Sequence, residues 1–251
     1  MIALPTGGRR RPQRRTRLVA TVAVRDDARF LAGWLRNVAP QVDGVVALDD
    51  GSSDGSGDLL AAHPSVLELL RVPRDRATWD EVANHRALVH AALRHDAAWI
   101  VALDADERVE HAFRDRAERA IRRGGALGAH AFRVRIAELW DTPTTVRVDG
   151  LWGRKTAARL FRARADHQFD TRPLHAHKAP LQARRLGRFP LADLRVYHLR
   201  MVDAADRRAR RERYETLDPE ARWQPGLGYG YLTDPSGLRL APVPGRRRFD
   251  D

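Results

Sequence analysis

The chain has 251 residues, 43% of them hydrophobic, which is enough for a buried core and excludes wholesale disorder. It contains no cysteine, so disulfides, cysteine-ligated zinc, iron–sulfur clusters and thiol catalysis are excluded. The formal net charge is +12, and six arginines lie within the first 17 residues. This charge favours anionic partners such as phosphates or an acidic membrane surface, although a solvated arginine-rich surface explains it more simply.

The first 16 residues predict a disordered basic arm. The segment MIALPTGGRRRPQRRT combines proline, glycine and positive charge without apolar periodicity, and it does not match a secretory signal peptide. The longest apolar runs, Leu18–Val24 and Ala97–Leu103, are too short to span a bilayer. We therefore expect a soluble cytoplasmic protein whose arm could dock peripherally on an anionic membrane. No nucleic-acid partner is expected, because no recognised binding module accompanies the charge.

Strands and helices alternate along the first half of the chain. Apolar runs typical of buried strands lie at Leu18–Val24, Gly44–Leu48, Val66–Val72 and Ala97–Leu103. Helical patterns lie between and after these strands: one ending at Pro40, one at Asp58–Ala62, one opened by a capping box at Thr78 and Glu81, and one at Glu110–Arg123. This alternation predicts an α/β fold with a mostly parallel sheet and helices on both faces.

The second half has a different pattern. Strands are predicted at Ala129–Ala137, Ala157–Arg162 and Leu194–His198, joined by irregular segments rich in His, Trp and Pro. A charged helix at Asp203–Leu217 precedes an irregular tail. The chain thus divides into the arm (1–16), an α/β half (17–125) and a smaller mixed part (126–251), the last two forming one domain.

Acidic side chains follow three of the predicted parallel strands. They are Asp26 and Asp27 after the first strand, Asp49 and Asp50 after the second, and Asp104, Asp106 and Glu107 after the fourth. Ligands of such sheets bind beyond the carboxyl ends of the strands, so we expect these carboxylates to converge at one edge. A hard divalent ion such as Mn²⁺ or Mg²⁺ suits oxygen ligands of this kind and commonly bridges them to phosphates.

Three segments carry a family resemblance: LVATVAVRDDARFLAGWL, VVALDDGSSDGS and NHRALVHAALRHDAAWIVALDADE. In this order and spacing they resemble the N-terminal half of a family 2 glycosyltransferase with the GT-A fold. The resemblance covers roughly residues 17–110. It implies an inverting, metal-dependent transfer of one sugar from a nucleotide-diphosphate donor to an acceptor that the sequence does not identify. It also implies that 17–125 binds the nucleotide sugar and that 126–251 faces the acceptor and the metal.

The resemblance assigns roles by position. Asp50 resembles the acid that hydrogen-bonds the nucleotide base, and Asp104 the first acid of the D-x-D motif, near the ribose. Asp106 resembles the second acid, which holds the metal on the diphosphate, and Arg86 a basic residue that faces the donor phosphates. A metal and a guanidinium would together stabilise the charge that develops on the leaving diphosphate. Where the family often has Asn-Glu, this chain has Asp26-Asp27, so Asp26 receives no specific role.

The general base and the further metal ligands stay open at this stage. An inverting mechanism needs a base to take the proton of the acceptor hydroxyl. The candidates are Asp141 and Glu107 on equal terms, followed by Asp149 and Asp170. His198 and His175 are candidate metal ligands from the second half, although a lone histidine is more often structural. Lys155 and Arg159 suit phosphate contact and a solvated face equally well.

Other functions remain as alternatives. A haloacid-dehalogenase-like phosphatase also has D-x-D after an apolar strand, but its loop normally continues with Thr or Ser, whereas this chain continues with Glu107-Arg108. A calcium loop at DDGSSDGSG would lack its twelfth-position Glu, where Leu60 stands. A basic binding protein, or a degenerate transferase that keeps the fold without the activity, is the remaining alternative. The absence of a Q-x-x-R-W segment argues against a processive polysaccharide synthase.

Overall fold

A computed structural model describes residues 16–73, 80–169, 177–182 and 189–251. The predicted arm therefore lies outside the described residues apart from Thr16, and so do Thr78, Asp170 and His175. Within the described ranges, no helix combines the length and the apolar character needed to cross a membrane.

The described elements follow the predicted alternation. The strands are β1 (Leu18–Val24), β2 (Val45–Asp49), β3 (Val66–Arg71), β4 (Trp99–Ala102), β5 (Glu107–Val109), β6 (Ala131–Trp140), β7 (Thr142–Arg147), β8 (Thr156–Arg162), β9 (Leu191–His198) and β10 (Leu240–Pro242). The α-helices are α1 (Ala28–Val38), α2 (Ser56–Ala62), α3 (Glu81–Arg94), α4 (Phe113–Gly125) and α5 (Ala204–Leu217). Short 3₁₀ turns lie at Ala39–Gln41, Trp152–Arg154, Gly230–Leu232 and Gly245–Arg247.

One large sheet organises these strands. Its order is β10-β7-β6-β8-β4-β1-β2-β3, with β9 beside β6 and β5 beside β9. Strands β4, β1, β2 and β3 run parallel, as predicted, whereas β8 is antiparallel to both β4 and β6. The predicted α/β fold with a mostly parallel first half is therefore confirmed, and the second half extends the same sheet with mixed pairing.

The core lies on both faces of this sheet. Because successive strand side chains point to opposite faces, Leu18, Ala20 and Val22 pack with α1 and α4, while Val19 packs in a second cluster with α3. All four side chains are at most 1% exposed. A strand covered on both faces needs apolar residues at every position, and this explains the continuous run in β1.

Two details of the predicted helices are wrong. Helix α3 begins at Glu81 and its N-cap is Asp80, whose carboxylate accepts a hydrogen bond from the Ala83 amide at 2.9 Å, so the capping box opened by Thr78 is not the start of this helix. Helix α4 begins at Phe113 rather than Glu110. The residues just before it, 107–109, form β5 against β9, and this non-local pairing leaves no signal in a three-residue segment.

Candidate active site

A cleft of about 600 Å³ lies beyond the carboxyl ends of β1 and β4. Its lining residues come from the loops after β1 and β4, from β6 and β8, from the end of β9 and from helix α5. The charged residues that line the cleft are Arg25, Asp26, Asp27, Arg29, Glu81, Asp104, Asp106, Glu107, Glu138, Lys155, Arg159, Lys178, His198, Arg200, Asp206, Arg210 and Arg213.

Asp104 is the first acid of the D-x-D loop and lines the cleft. Its side chain is 42% exposed, and its Oδ1 atom accepts a hydrogen bond from Lys178 Nζ at 2.5 Å. Arg159 Nη2 lies 3.4 Å from the other carboxylate oxygen. Burial alone would raise the pKa of Asp104, but the charges of Lys178 and Arg159 hold it below its usual value. Asp104 is therefore an ionised carboxylate with one side open to a ligand.

Glu107 stabilises the same loop through hydrogen bonds. Its carboxylate accepts a hydrogen bond from Arg159 Nη2 at 2.6 Å and another from the Asp104 amide at 3.0 Å. The residue is 1% exposed, whereas Asp104 is partly open. Glu107 thus fixes the conformation of the loop that carries the two D-x-D acids.

Asp106 belongs to a buried chain of charged groups. Its Oδ2 atom lies 3.1 Å from His198 Nε2 and accepts a hydrogen bond from Arg200 Nε at 2.6 Å. The other imidazole nitrogen of His198 lies 2.6 Å from Glu138 Oε2. Burial alone would lower the pKa of His198, but Glu138 and Asp106 raise it to about 10. In this state His198 is an imidazolium that donates to a carboxylate on each side.

Asp50 lies beneath the cleft rather than on its surface. It is fully buried, and its carboxylate is held by Asn84 of α3 at 3.2 Å and by Arg25 at 3.2 Å. Arg25 lines the cleft, and its side chain is 29% exposed. Arg25 therefore separates Asp50 from the open space in which a ligand would lie.

Eight of the candidate site residues that the sequence singled out line one cleft: Asp26, Asp27, Asp104, Asp106, Glu107, Lys155, Arg159 and His198. Arg86 lies on the exposed side of α3 and is not among the lining residues, because its neighbours Asn84 and His85 occupy the buried side. Asp141 forms the tight turn between β6 and β7 with a φ of 58° and pairs with Arg207 at 2.7 Å, away from the lining residues. Asp149 pairs with Arg147.

Sequence reasoning placed Asp27 at this edge of the sheet without giving it a role, and it missed Arg200 and Glu138. Asp27 accepts a hydrogen bond from Arg200 at 2.9 Å, and burial raises the pKa of Asp27. The sequence signal that could have identified Arg200 as a site residue was its position two residues after the candidate ligand His198. Glu138 carried no local signal, because it meets His198 only through the register between β6 and β9.

The two D-x-D carboxylates fit a hard divalent cation whose other ligands would come from the substrate. Asp104 and Asp106 offer carboxylate oxygens, which suit Mn²⁺ or Mg²⁺, whereas His198 could offer Nε2 only after losing the proton that it donates to Asp106. Within the described ranges no three His, Asp or Glu side chains form a group that could hold an ion by themselves. Magnesium sites commonly use one or two protein carboxylates and take further ligands from substrate phosphates and water, so such a site needs no full protein cage.

Comparisons with known proteins agree with this architecture. No protein-family model matches the chain. Two uncharacterized mycobacterial proteins, Mb3815c of Mycobacterium bovis and Rv3786c of Mycobacterium tuberculosis, are each 28% identical over 247 residues, which is 93% of this chain. The chain spans 60% of the length of these two relatives.

Solved structures resemble the chain at lower identity. The crystal structure of TarS from S. aureus superposes with a TM-score of 0.53 at 12% identity, covering 83% of this chain and 41% of TarS. A mannosyltransferase from Pyrobaculum calidifontis, PcManGT, has a TM-score of 0.49 at 16% identity, covering 88% and 72% of the two chains. The likeness to TarS confirms the resemblance read from the sequence at the level of architecture: the chain has the GT-A fold.

Proposed function

We propose that this chain is a divalent-metal-dependent glycosyltransferase that transfers one sugar, with inversion, from a nucleotide-diphosphate donor to an acceptor. The observation that carries the proposal is the convergence of Asp104, Asp106 and His198 in one cleft at the carboxyl ends of the parallel strands. The likeness to TarS supports a nucleotide-sugar donor, since TarS residues 1–349 have been crystallised with UDP-GlcNAc.

Asp106 and Asp104 are the carboxylates that would hold the metal, and His198 would join them through Nε2 once that nitrogen has lost its proton. A divalent ion bound there would neutralise the negative charge that develops on the departing diphosphate. Glu107 would keep Asp104 and Asp106 in place through its bonds to Arg159 and the loop backbone. Glu138 would orient the imidazole of His198 by the 2.6 Å contact at its other nitrogen, as carboxylates commonly do for ligating histidines.

Recognition of the nucleotide base at Asp50 would involve Arg25, which pairs with the Asp50 carboxylate. Arg25 lies over Asp50 and reaches it at 3.2 Å, so a base that binds at this carboxylate has to displace Arg25 or be contacted by it. Arg86 stays a weaker candidate for phosphate contact, because its side chain is exposed outside the cleft. Arg159 and Lys178, which line the cleft beside Asp104, are better placed for that role.

The general base is proposed from the carboxylates that line the cleft. Glu107 and Asp27 both line it, whereas Asp141 does not. Glu107 is 1% exposed and already accepts hydrogen bonds from Arg159 at 2.6 Å and from the Asp104 amide, so it is poorly placed to meet an acceptor hydroxyl. Burial raises the pKa of Asp27 in spite of the opposing charge of Arg200, which suits Asp27 to accept a proton. We expect Asp27→Asn to lower kcat more than Glu107→Gln lowers it at equal folded fraction.

Nucleotide binding by isothermal titration calorimetry tests the donor site. UDP, GDP and dTDP would be titrated into the wild type with and without Mn²⁺, and into Asp106→Asn. Asp115→Asn is the matched control, because Asp115 is an exposed acid on α4 that is not among the residues lining the cleft. We expect one nucleotide to bind more tightly with Mn²⁺, and Asp106→Asn to lose at least about tenfold in affinity while Asp115→Asn does not.

Each part of the proposal has its own contrary result. Equal nucleotide affinity with and without Mn²⁺ would remove the metal dependence. Binding of none of the three nucleotides by folded protein would remove the donor site and favour a degenerate transferase that keeps only the fold. Inversion is tested by ¹H NMR of the sugar first released from an α-linked donor, where the α anomer would contradict the proposal.

A further inference from the structure

Helix α5 presents one continuous stripe to the cleft. Asp206, Ala209, Arg210, Arg213 and Tyr214 line it, at spacings of three and four residues that lie on one side of a helix. The stripe faces the loop that carries the D-x-D acids, since the negative charge of Asp106 stabilises the charged guanidinium of Arg210. Helix α5 therefore contributes to the cleft a row of side chains whose cations are arginines.

Most cations that line the cleft are paired with a carboxylate of the protein. Arg25, Arg29, Lys155, Arg159, Lys178 and Arg200 each form at least one such ion pair. Within the described ranges Arg210 and Arg213 form no ion pair with a carboxylate. These two cleft-lining cations therefore have no carboxylate of the described residues within ion-pair distance, although Asp106 attracts Arg210 from further away.

Arg210 is held in place by an aromatic group rather than by an acid. Its Nε atom donates a hydrogen bond to the Tyr214 hydroxyl at 3.1 Å, and its guanidinium lies 5.3 Å from the centre of that ring. Tyr214 in turn packs against Tyr229, with ring centroids 5.1 Å apart. The Nε bond uses one donor, so the terminal nitrogens of the guanidinium are left to bind another group.

We infer that Arg210 and Arg213 form a phosphate-binding wall of the cleft. A guanidinium with its terminal nitrogens available matches the geometry of a phosphate group, and one already oriented by Tyr214 loses less entropy on binding. The inference deepens the proposed function, because the phosphate belongs either to the nucleotide donor or to an acceptor that carries a phosphate monoester.

Comparison with the other arginines of α5 shows that Arg210 is not simply a solvated charge on an arginine-rich helix. Arg207 and Arg211 also lie on α5, but Arg207 pairs with Asp141 and Arg211 with Glu215, so their charges are already used by the protein. Arg208 points to solvent on the side opposite the stripe and is exposed. An arginine-rich helix explains Arg208 as a solvated charge, whereas Arg210 is half-buried against the cleft.

Calorimetric titrations of four proteins test this wall: the wild type, the double variant Arg210→Gln/Arg213→Gln, Arg210→Lys, and the control Arg208→Gln. The probes are UDP, GDP and dTDP with Mn²⁺, and separately glycerol 3-phosphate with glycerol as its uncharged counterpart. We expect the double variant to lose about tenfold or more in affinity for a phosphate probe, since charge-assisted hydrogen bonds are the strong ones. The phosphate affinity of Arg208→Gln should stay within about twofold of the wild-type value. Arg210→Lys, which keeps the charge, should lose less affinity than the double variant.

The two probe classes separate the sources of the phosphate. A loss confined to the nucleotides assigns the wall to the donor diphosphate, and a loss confined to glycerol 3-phosphate assigns it to a phosphorylated acceptor. Unchanged affinity for both classes in the double variant, or no binding of any phosphate probe by the wild type, overturns the inference. Far-ultraviolet circular dichroism checks that α5 is intact in each variant.

Failure of this inference differs from failure of the proposed function. Mn²⁺-dependent nucleotide binding that is lost in Asp106→Asn but unchanged in the double variant keeps the donor site and removes the wall. Binding of glycerol 3-phosphate that depends on Arg210, with no nucleotide bound, keeps the wall and removes the donor site.

Discussion

The buried guanidinium of Arg108 offers the sharpest test of how the D-x-D loop is held. Arg108 is 1% exposed and donates hydrogen bonds to three backbone carbonyls, those of Ala105 at 3.0 Å, Glu107 at 3.1 Å and Phe30 at 2.9 Å. It also donates to Asp251 at 2.8 Å. One side chain thus ties the loop that carries the D-x-D acids to helix α1.

Arg108→Met keeps most of the side-chain volume but removes every donor. A hydrogen bond from a charged donor contributes about 1.5–3 kcal/mol, and release of the buried charge offsets part of the loss of these bonds. We expect the free energy of unfolding to fall by about 3 kcal/mol. Asp251→Asn is the matched control, because it weakens only the contact with a half-exposed carboxylate and should cost about 1 kcal/mol or less.

Urea denaturation followed by circular dichroism measures both changes. A second readout is the Mn²⁺-dependent nucleotide affinity, which should fall in Arg108→Met because the loop loses its support. If Arg108→Met unfolds within about 1 kcal/mol of the wild type, or no more easily than Asp251→Asn, then water or a rearranged backbone satisfies those carbonyls and the reasoning is wrong.

Three further predictions concern packing and charge elsewhere in the fold. Gly33→Ala should destabilise the protein although Ala favours helices, because a Cβ would lie 2.5 Å from Arg108 Nη2; a rise in Tm would contradict this. Burial, helped by the positive charge of Lys178, lowers the pKa of His85 to about 3. The contribution of neutral His85 to the free energy of unfolding is therefore complete above about pH 6.5 and is lost as the pH falls towards 3. Denaturation at pH 7 and 5 should therefore show a shallower loss of stability in His85→Gln than in wild type, by up to about 1.4 kcal/mol per pH unit. Glu110→Ala should cost about 3 kcal/mol, read by urea denaturation, because this buried carboxylate accepts hydrogen bonds from Arg247 at 2.8 and 2.9 Å; a cost below about 1 kcal/mol would mean that Arg247 finds other partners.

The strands of the first half were predictable because they are buried on both faces. Leu18–Val24 is apolar at every position, and the structure has β1 with the same bounds. The short strand β5 was not predictable, since Glu107–Val109 contains two charged residues and depends on pairing with β9. Strand β7 was missed for the same reason, because it follows a tight turn at Asp141 and pairs back onto β6.

The candidate site divides in the same way. Asp104, Asp106 and Glu107 were found because they follow directly on a buried strand, so their place at the sheet edge is a local property of the sequence. Glu138 was not identified and Asp27 received no role, since the functions of both depend on partners 60 and 173 residues away, His198 and Arg200. Asp141 was chosen for its position in the second half, but the turn that it forms directs it to Arg207 instead.

The sequence by itself therefore determined the alternation of strands and helices, the edge at which the acids gather and the resemblance that the fold confirms. These properties depend on burial and on spacing between near neighbours, which are written into short segments of the chain. Only the tertiary structure decided which charges neutralise one another, which carboxylate lies beneath Arg25, and which arginines of α5 are left to face the cleft. Pairing between distant segments sets these outcomes, because an ion pair depends on a separation of a few ångströms that no local pattern records.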